Sequence, residues 1–473
     1  MSYTPINEIS KIRDELRATF CKGTTRPLSW RRRQLHQVAR MVQENLEPFA
    51  KTIINDLGRP RNETYPVELG LVVTRSITSA EKLEEWTKPE VLTEAVPDWQ
   101  KTWKPTIFKQ AKGTVCIIGP WNYPMILTLQ PLIGAIAAGC CAIIKPSEFS
   151  PAYSTLLAEL LPKYLDTSAY RVVLGGIPET TRVLELQWDH IFYTGNGRVG
   201  RIVAAAAAKH LTPLTLELGG KSPIIIDANY DMDLAAKRLL WGKISNAGQI
   251  CISPDHAFIV REKQDEFTAA LKKWYGIFYA NGPLNSEYGH IVNETHHTRL
   301  MALINETKGE IVVGGGSNDK LGIEPTVVKN VKNDDVLMDD ELFGPIFPVI
   351  PVDSVDDAIE AINARPHPLM LYVFTEDDQV KQKVLENTQS GNIAFGDTFQ
   401  ALSVDALPFG GVGESGYGRQ VLKYTFDEFI YLRSSIDMPK EAEPTLEARY
   451  PPYNEEKLKF LGAACLTKIP DDA

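Results

Sequence analysis

Two side chains in this sequence have surroundings suited to covalent catalysis: a cysteine in a polar turn and a carboxylate among apolar neighbours. Cys251 lies in residues 246–254 (NAGQICISP), where a glycine-containing turn precedes the thiol and a proline follows it. This setting favours an accessible thiol, whereas a cysteine without special context is most often a small buried apolar residue. No histidine lies in the motif, so a carboxylate is the remaining choice of base. Glu217, in residues 216–220 (LELGG), has apolar neighbours, which raise the pKa of a carboxyl group and suit it to base catalysis near neutral pH.

A glycine-rich segment provides a possible phosphate site. Residues 195–200 (GNGRVG) fit G-x-G-x-x-G, follow the predicted strand 190–193 and open the predicted helix 199–209. The backbone N–H groups at such a helix start bind a dinucleotide pyrophosphate, although a tight strand-to-helix turn would have the same sequence. The ordinary spacing rule for this motif would place Glu217, 22 residues after Gly195, on a ribose hydroxyl. The candidate cofactor residues here are Gly195, Asn196, Gly197, Arg198, Val199 and Gly200.

Two other glycine clusters fail as phosphate sites. Residues 219–222 (GGKS) resemble the end of a P-loop, but the glycine required five positions before Gly220 is Thr215, and a strand rather than a helix follows. Residues 314–316 (GGG) precede turn-forming residues and predict a surface loop.

Short apolar strands alternate with helices in two successive sets. The first set includes 114–118, 141–144, 171–174 and 190–193, and the second includes 223–227, 257–260 and 371–374. This alternation indicates βαβ units and parallel sheets. The sequence therefore predicts an α/β protein with two domains, divided near residues 218–222. The segment 98–108 predicts a strand or ribbon, and the proline-rich last forty residues predict an extended tail.

Composition excludes several classes of protein. The chain has 473 residues, 44% hydrophobic and 23% charged, which is typical of globular domains. A net charge of −10 argues against nucleic acid or an anionic membrane as partner and favours a cytoplasmic protein. The six cysteines include no C-x-x-C pair, so we expect neither a disulfide scaffold nor a metal site. The longest apolar run, residues 131–144, is too short for a membrane span.

Seven motifs in order resemble the aldehyde dehydrogenase superfamily over roughly residues 8–460. They are 119–124 (GPWNYP), 145–148 (KPSE), 193–195 (YTG), 216–223 (LELGGKSP), 248–251 (GQIC), 341–345 (ELFGP) and 407–411 (LPFGG). Residues 208–213 (AKHLTP) and 449–453 (RYPPY) resemble its class 3 branch, the fatty and aromatic aldehyde dehydrogenases.

The resemblance implies a particular domain organisation. We expect an NAD(P)-binding domain in residues 1–88 and 106–218, a catalytic domain in 219–405, and a bridging ribbon in 89–105 and 428–438. Residues 406–427 and 439–473 would form a return segment and a C-terminal tail. Class 3 relatives are dimers joined through that ribbon, so the resemblance implies a homodimer.

The resemblance also implies roles for single residues. Cys251 would be the nucleophile, the Asn122 side-chain amide and the Cys251 N–H would bind the oxyanion, and Glu217 would activate water rather than bind ribose. Lys145 and Glu148 would contact the adenosine ribose. Glu341 would contact the nicotinamide ribose, with Phe343 packed beside it. No metal is required.

The expected reaction is oxidation of an apolar aldehyde (medium- or long-chain aliphatic, aromatic or polyene) to its carboxylic acid. Glu148 would accept a bond from a free 2′-hydroxyl and repel a 2′-phosphate, so NAD is favoured as the cofactor, with NADP possible. Asn196 replaces a usual serine and Arg198 a usual small residue, which bears on the cofactor loop. Residues 395–397 (FGD) and 421–423 (VLK) also depart from the class 3 pattern, which bears on the substrate funnel, and Tyr65 matches a tyrosine near the substrate entrance.

Three other functions remain open at this point. Coenzyme A instead of water would take the acyl group in an acylating enzyme, but such enzymes need no water-activating Glu217. A binding protein without turnover on the same fold would not need Asn122, Glu217 and Cys251 together. A cofactor-independent thiol hydrolase would not need the turn at 195–200.

Overall fold

The computed structural model describes residues 2–471, which form two units. The first unit comprises residues 2–86 and 111–430, and the second comprises 87–110 and 431–471. The strands are β1 (Glu90–Val91), β2 (Thr106–Ala111), β3 (Thr114–Ile118), β4 (Cys141–Lys145), β5 (Tyr170–Val172), β6 (His190–Thr194), β7 (Leu214–Glu217), β8 (Pro223–Ile226), β9 (His256–Val260), β10 (Glu310–Val313), β11 (Thr326–Lys329), β12 (Ile346–Val352), β13 (Met370–Phe374), β14 (Asn392–Phe395), β15 (Gly416–Tyr417) and β16 (Ile430–Ser435).

The first five α-helices precede β1, and the others follow it, most of them between strands. They are α1 (Ile6–Lys22), α2 (Leu28–Gln43), α3 (Leu46–Leu57), α4 (Arg61–Thr64), α5 (Leu71–Thr87), α6 (Asp98–Lys101), α7 (Ile126–Ala138), α8 (Pro151–Tyr164), α9 (Ile177–Glu185), α10 (Gly197–Ala208), α11 (Met232–Ile244), α12 (Gln264–Phe278), α13 (Glu294–Glu306), α14 (Val355–Asn363), α15 (Asp378–Asn387), α16 (Lys423–Glu428), α17 (Glu443–Leu446) and α18 (Glu455–Leu461). A π-helical segment, Tyr65–Gly70, connects α4 to α5.

The first unit contains two sheets built mainly from parallel strands. A six-stranded sheet has the order β15-β7-β6-β3-β4-β5, and only the short β15 runs antiparallel to its neighbour. A seven-stranded sheet has the order β10-β11-β12-β9-β8-β13-β14, with β10 antiparallel. The chain passes from the first sheet to the second through residues 218–222. The predicted α/β fold with two parallel sheets is therefore confirmed.

Burial on both faces explains why these strands are continuous apolar runs. Every residue of β3, β4 and β6 is buried, as expected for parallel strands covered by helices on each side. Helix α7 is buried along nearly its whole length, including the polar Thr128 and Gln130. A buried polar side chain needs a partner: Thr128 donates to the carbonyl oxygen of Pro124, and Gln130 donates to Gln420 Oε1 (2.7 Å).

The second unit contains a three-stranded sheet of order β1-β2-β16. The prediction of a strand over 98–108 is wrong in its first half, because α6 begins after Pro97 and β2 begins only after Pro105. A proline is well suited to precede a helical turn but cannot donate to a strand ladder.

The prediction of an extended C-terminal tail is also wrong, because that segment contains α17 and α18. The side chain of Asn454 accepts a hydrogen bond from the Lys457 N–H (2.8 Å) and so caps α18. Among residues 2–471, no helix combines the length and the apolar character that a bilayer crossing needs.

Candidate active site

Four candidate residues lie just at or beyond the carboxyl ends of adjacent parallel strands. Asn122 follows β3, Lys145 ends β4, Gly195 follows β6, and Glu217 ends β7. The carboxyl edge of a parallel sheet is where ligands bind in open α/β folds. In the sheet order, β7 and β4 are three strand spacings apart, or about 14 Å at about 4.8 Å per spacing. Along this edge, Gly195 and Asn122 therefore lie between Glu217 on one side and Lys145 on the other.

Cys251 follows a left-handed turn that ends α11. Asn246, Ala247 and Gly248 have φ values of 48°, 50° and 73°. Left-handed backbone costs roughly 1–2 kcal/mol at each non-glycine residue, so the surroundings must hold this turn in place. Gly248 is required here, because a Cβ at this position would overlap the carbonyl oxygen of Gly344.

The thiol of Cys251 is half-buried and lies close to two carboxylates. Burial, and then the charges of Glu341 and Glu217, raise the pKa of Cys251 to about 12. The backbone N–H groups of Cys251 and Ile252 face the sulfur and act in the opposite direction. The resting residue is thus a protonated thiol that needs a base or a nearby positive charge before it can act as a nucleophile.

Asn122 is buried and is fixed by both its backbone and its side chain. Its side-chain Nδ2 donates to the carbonyl oxygen of Gln249 (3.0 Å), two residues before Cys251. Its own carbonyl oxygen accepts from Arg59 Nη1 (2.9 Å) and from Asn246 Nδ2 (3.1 Å). A side-chain amide has two N–H groups, so one remains for a ligand.

Glu217 is almost fully buried, at 2% exposure, and neither of its carboxylate oxygens has a hydrogen-bond partner with full geometry. Burial, and then the charge of Glu428, raise its pKa well above the ordinary value for glutamate. Arg419 and the side-chain amide of Gln420 lie close enough to oppose this shift. A buried carboxyl group with a raised pKa is suited to accept a proton near neutral pH.

The adenosine-end candidates form an ion pair. Lys145 Nζ lies 2.6 Å from Glu148 Oε2, and the lysine side chain is 4% exposed. At the predicted phosphate turn, Asn196 caps α10 by accepting a hydrogen bond from the Val199 N–H (2.9 Å). Arg198 and Glu148 both lie near the hydroxyl of Tyr193, where their charges affect its pKa in opposite directions.

The predicted nicotinamide-end residues also come together with the catalytic candidates. Glu341 packs against Gly219 so closely that any side chain at position 219 would overlap its carboxylate. Burial, and then the charge of Asp255, raise the pKa of Glu341 to about 8. Phe343 has a left-handed φ of 46° and packs edge-on against Trp121 at 5.4 Å between ring centroids.

These residues fit a dinucleotide. The N-terminus of α10 offers backbone N–H groups that have no acceptor within the helix, which suits a pyrophosphate. Gly195 is needed there, because a Cβ would overlap the Tyr193 ring. Lys145 and Glu148 provide a polar end, and Phe343 with Trp121 provides an aromatic end. Among residues 2–471, no group of three or more His, Cys, Asp or Glu side chains could hold a metal ion.

Sequence reasoning missed a buried polar chain that leads to Glu217. Gln130 Nε2 donates to Gln420 Oε1 (2.7 Å), and Arg75 Nη1 donates to Gln130 Oε1. Arg75 also binds Asp405 Oδ1 through Nε (3.0 Å) and Nη2 (2.9 Å). The available signal was Gln130, an uncharged polar residue inside an apolar helix.

Known proteins are similar to this chain over most of its length. The family model described as "Aldehyde dehydrogenase family" matches residues 6–435. The chain is 40% identical over 450 residues to "Aldehyde dehydrogenase, dimeric NADP-preferring" of Canis lupus familiaris, covering 94% of this chain and 98% of that protein. It is 41% identical over 452 residues to "Aldehyde dehydrogenase family 3 member A2" of Mus musculus, covering 94% and 92%.

A solved structure is similar over nearly the whole chain. The substrate-bound state of AldH from Staphylococcus aureus superimposes with a TM-score of 0.92 at 38% identity, covering 97% of this chain and 99% of that one. The protein therefore belongs to the aldehyde dehydrogenase family. It is an enzyme that oxidises aldehydes with a nicotinamide cofactor.

Proposed function

We propose that this enzyme oxidises apolar aldehydes to carboxylic acids through an acyl intermediate on Cys251, with Glu217 as the base that activates water. The observation that carries the proposal is the set of groups around Cys251. Its thiol is protonated, the buried carboxyl group of Glu217 is close enough to affect its pKa, and the Asn122 amide binds the Gln249 carbonyl oxygen two residues before it and keeps a second N–H. Each supplies one requirement of acyl chemistry.

In the first half-reaction, Cys251 passes its proton to Glu217, which returns it to solvent before the second half-reaction, and the sulfur bonds to the aldehyde carbon. The aldehyde oxygen becomes an oxyanion, which accepts hydrogen bonds from the remaining N–H of Asn122 and from the backbone N–H of Cys251. When bound, the nicotinamide supplies a hydride acceptor, so that the aldehyde carbon is oxidised and an S-acyl cysteine remains.

In the second half-reaction, Glu217 takes a proton from water, whose oxygen bonds to the acyl carbon. The carbon–sulfur bond then breaks, and the carboxylic acid and the thiol are released. The raised pKa of Glu217 makes it a stronger base than an exposed glutamate once it is ionised. Neither carboxylate oxygen is held by a hydrogen bond with full geometry, so the carboxyl group keeps capacity to accept a proton.

The apolar surroundings of Cys251 support an apolar substrate. The thiol packs against the apolar core of the seven-stranded sheet, and Tyr123 and Tyr372 lie near enough for its charge to affect their pKa. Trp121 lies on the same loop as Asn122 and is half-buried. An aliphatic, aromatic or polyene aldehyde would lose little hydration of polar groups on entering such a site.

For the cofactor we propose NAD in preference to NADP. Glu148 is 24% exposed, so its carboxylate can accept a bond from a 2′-hydroxyl, and its charge opposes a 2′-phosphate. The relative in Canis lupus familiaris is described as dimeric and NADP-preferring, so the dimer is also proposed here, whereas the cofactor preference is proposed to differ. We also propose a cytoplasmic location. The proposed NAD(P)-binding domain is residues 1–88 and 106–218, and the proposed catalytic domain is residues 219–405.

The test follows NADH absorbance with a long-chain aldehyde for the wild type, Cys251→Ala and Cys251→Ser. We expect steady turnover in the wild type and none in Cys251→Ala, with trapping of an acyl group by mass spectrometry only when Cys251 is present. Cys465→Ala is a matched control, because Cys465 is exposed. NADH production by Cys251→Ala would contradict the nucleophile assignment, and turnover that requires coenzyme A would show that water is not the acceptor.

A further inference from the structure

A second buried pair of charged groups lies behind the oxyanion site. Arg59 Nη2 and Glu68 Oε1 form an ion pair in which both side chains are 0% exposed. Glu68 lies in the π-helical segment Tyr65–Gly70, an uncommon turn that occurs most often at functional sites. Burying two charges costs several kcal/mol of desolvation, so such a pair adds little to stability compared with apolar side chains of the same size.

The ion pair contacts both ends of the loop that runs from Asn122 to the start of α7. Glu68 Oε2 accepts hydrogen bonds from the Met125 N–H (2.7 Å) and the Ile126 N–H (3.0 Å), at the start of α7. The guanidinium of Arg59 lies over the ring of Tyr123 at 4.3 Å and donates to the carbonyl oxygen of Asn122 at 2.9 Å. The backbone from residue 122 to residue 126 is therefore attached to one rigid ion pair.

The same contacts join this loop to the turn before Cys251. The Asn122 carbonyl oxygen that binds Arg59 also accepts from Asn246 Nδ2 (3.1 Å), and Asn122 Nδ2 donates to the Gln249 carbonyl oxygen (3.0 Å). The backbone N–H of Asn246 donates to Glu63 Oε2 (2.8 Å), which fixes the left-handed turn from its other side. Arg59 is thus the cation at the centre of the contacts that fix two proposed oxyanion donors, the Asn122 amide and the Cys251 N–H, relative to each other.

We propose that Arg59 is a positioning residue for aldehyde oxidation: it fixes the backbone of Asn122 so that the free N–H of the Asn122 amide stays aimed at the oxyanion. The inference rests on the proposed function. Neither Arg59 nor Glu68 touches the substrate. Loss of the guanidinium frees the Asn122 carbonyl oxygen from one of its two donors and allows the peptide to rotate. A displacement of about 1 Å at a catalytic group is enough to lower a rate by about a hundredfold.

The first experiment measures the rate of NADH release in the first turnover, by stopped flow, for Arg59→Met and Arg59→Lys. We expect Arg59→Met to lower this rate by about 10- to 100-fold. The KM for the aldehyde should change by less than about threefold, because the apolar contacts of the substrate are intact. Arg59→Lys keeps the charge opposite Glu68 and one donor, so it should recover part of the rate.

Arg31→Met is the matched control. Arg31 is a half-buried arginine of α2. Its Nη1 donates to the carbonyl oxygen of Ala137 (3.1 Å), at the end of α7 that is far from Asn122. Its loss should lower the melting temperature without a selective effect on the first-turnover rate. If Arg59→Met does not fold, Arg59→Met/Glu68→Gln removes both charges and keeps an oxygen for the two N–H groups of α7.

A double-mutant cycle with Asn122→Ala decides whether Arg59 acts through Asn122. We expect Arg59→Met to lower the rate less than about twofold further once Asn122 is alanine. An equal loss in both backgrounds, or no loss in either, would overturn the proposal. The absence of any first-turnover NADH from the wild type would instead overturn the proposed function, so the two failures are distinguishable.

Discussion

Glu68 and Glu217 are both buried glutamates of the first unit, and they differ in their partners. Glu68 has an ion pair with Arg59 and two backbone N–H donors. Glu217 has no hydrogen-bond partner with full geometry, and Glu428 lies near enough to add a repulsive charge. Burial alone therefore does not define a catalytic carboxylate. The first is compensated and suited to holding structure, whereas the second is uncompensated and suited to accepting a proton.

The largest effect should come from removing the base. Glu217→Gln keeps the size of the side chain but cannot accept a proton from water. We expect one equivalent of NADH per active site in the first turnover, followed by steady turnover about 10²–10⁴-fold slower than the wild type. Stopped-flow and steady-state absorbance on one sample would measure both. Unimpaired steady turnover would show that another group activates water.

Substitution of Glu68, the glutamate with an ion-pair partner, should lower stability rather than the rate of turnover. Glu68→Met leaves Arg59 as a buried charge without its partner, and such losses cost about 3–5 kcal/mol of stability. Urea denaturation of Glu68→Met against the wild type measures this directly. Exposed Glu159, which pairs with Lys163, offers the control Glu159→Met, and its effect should stay below about 1 kcal/mol. A small effect at Glu68 would remove the distinction between the two glutamates.

The same reasoning predicts that Glu217→Gln stabilises the protein at neutral pH. The folded pKa of Glu217 is raised, so between the unfolded and the folded pKa the folded state binds more protons than the unfolded state. Stability therefore falls as pH rises through this window, by about 1.4 kcal/mol for each unit of difference in pKa. In thermal unfolding at pH 7.5, the melting temperature of Glu217→Gln should be higher than that of the wild type. This difference should vanish below about pH 4. A lower melting temperature at pH 7.5 would contradict the assignment.

A smaller effect is expected at Gln420. Its amide opposes the raised pKa of Glu217, so Gln420→Leu should raise that pKa further. The acidic limb of the pH profile of steady turnover should then move to higher pH by on the order of one unit. The profile of the first-turnover rate should move less, and an unchanged acidic limb would exclude Gln420 from the environment of the base.

The smallest effect concerns the cofactor. Glu148→Gln removes the charge that opposes a 2′-phosphate, so the ratio of kcat/KM for NADP over NAD should rise by about tenfold, with little change in kcat. Glu179→Gln, on α9, is the control: it removes one negative charge elsewhere and should leave the NADP-to-NAD ratio unchanged. A wild type that already prefers NADP would contradict the proposed role of Glu148.

The sequence predicted the parts of the molecule that depend on local patterns. Buried strands, the glycine turn at 195–200 and the turn before Cys251 are all visible in short windows, and the strand ends place Glu217 and Asn122 at one edge. Arg59 could not be found in this way, because its contact with Asn122 joins residues 63 positions apart. Its local context, between Gly58 and Pro60, indicates an exposed turn.

The buried chain that starts at Arg75 has a direction. Arginine has no acceptor, so the oxygen of Gln130 must face Arg75 and its nitrogen must face Gln420. The oxygen of Gln420 must then face Gln130, which leaves its N–H₂ end towards Glu217. Arg75 in turn is anchored by Asp405 and by the carbonyl oxygen of Leu402 (3.1 Å). The guanidinium of Arg75 thus selects the orientation of two amides. Asp405, a loop residue far from Glu217 in the chain, anchors that guanidinium, so the carboxylate proposed as the base faces a donor rather than an acceptor.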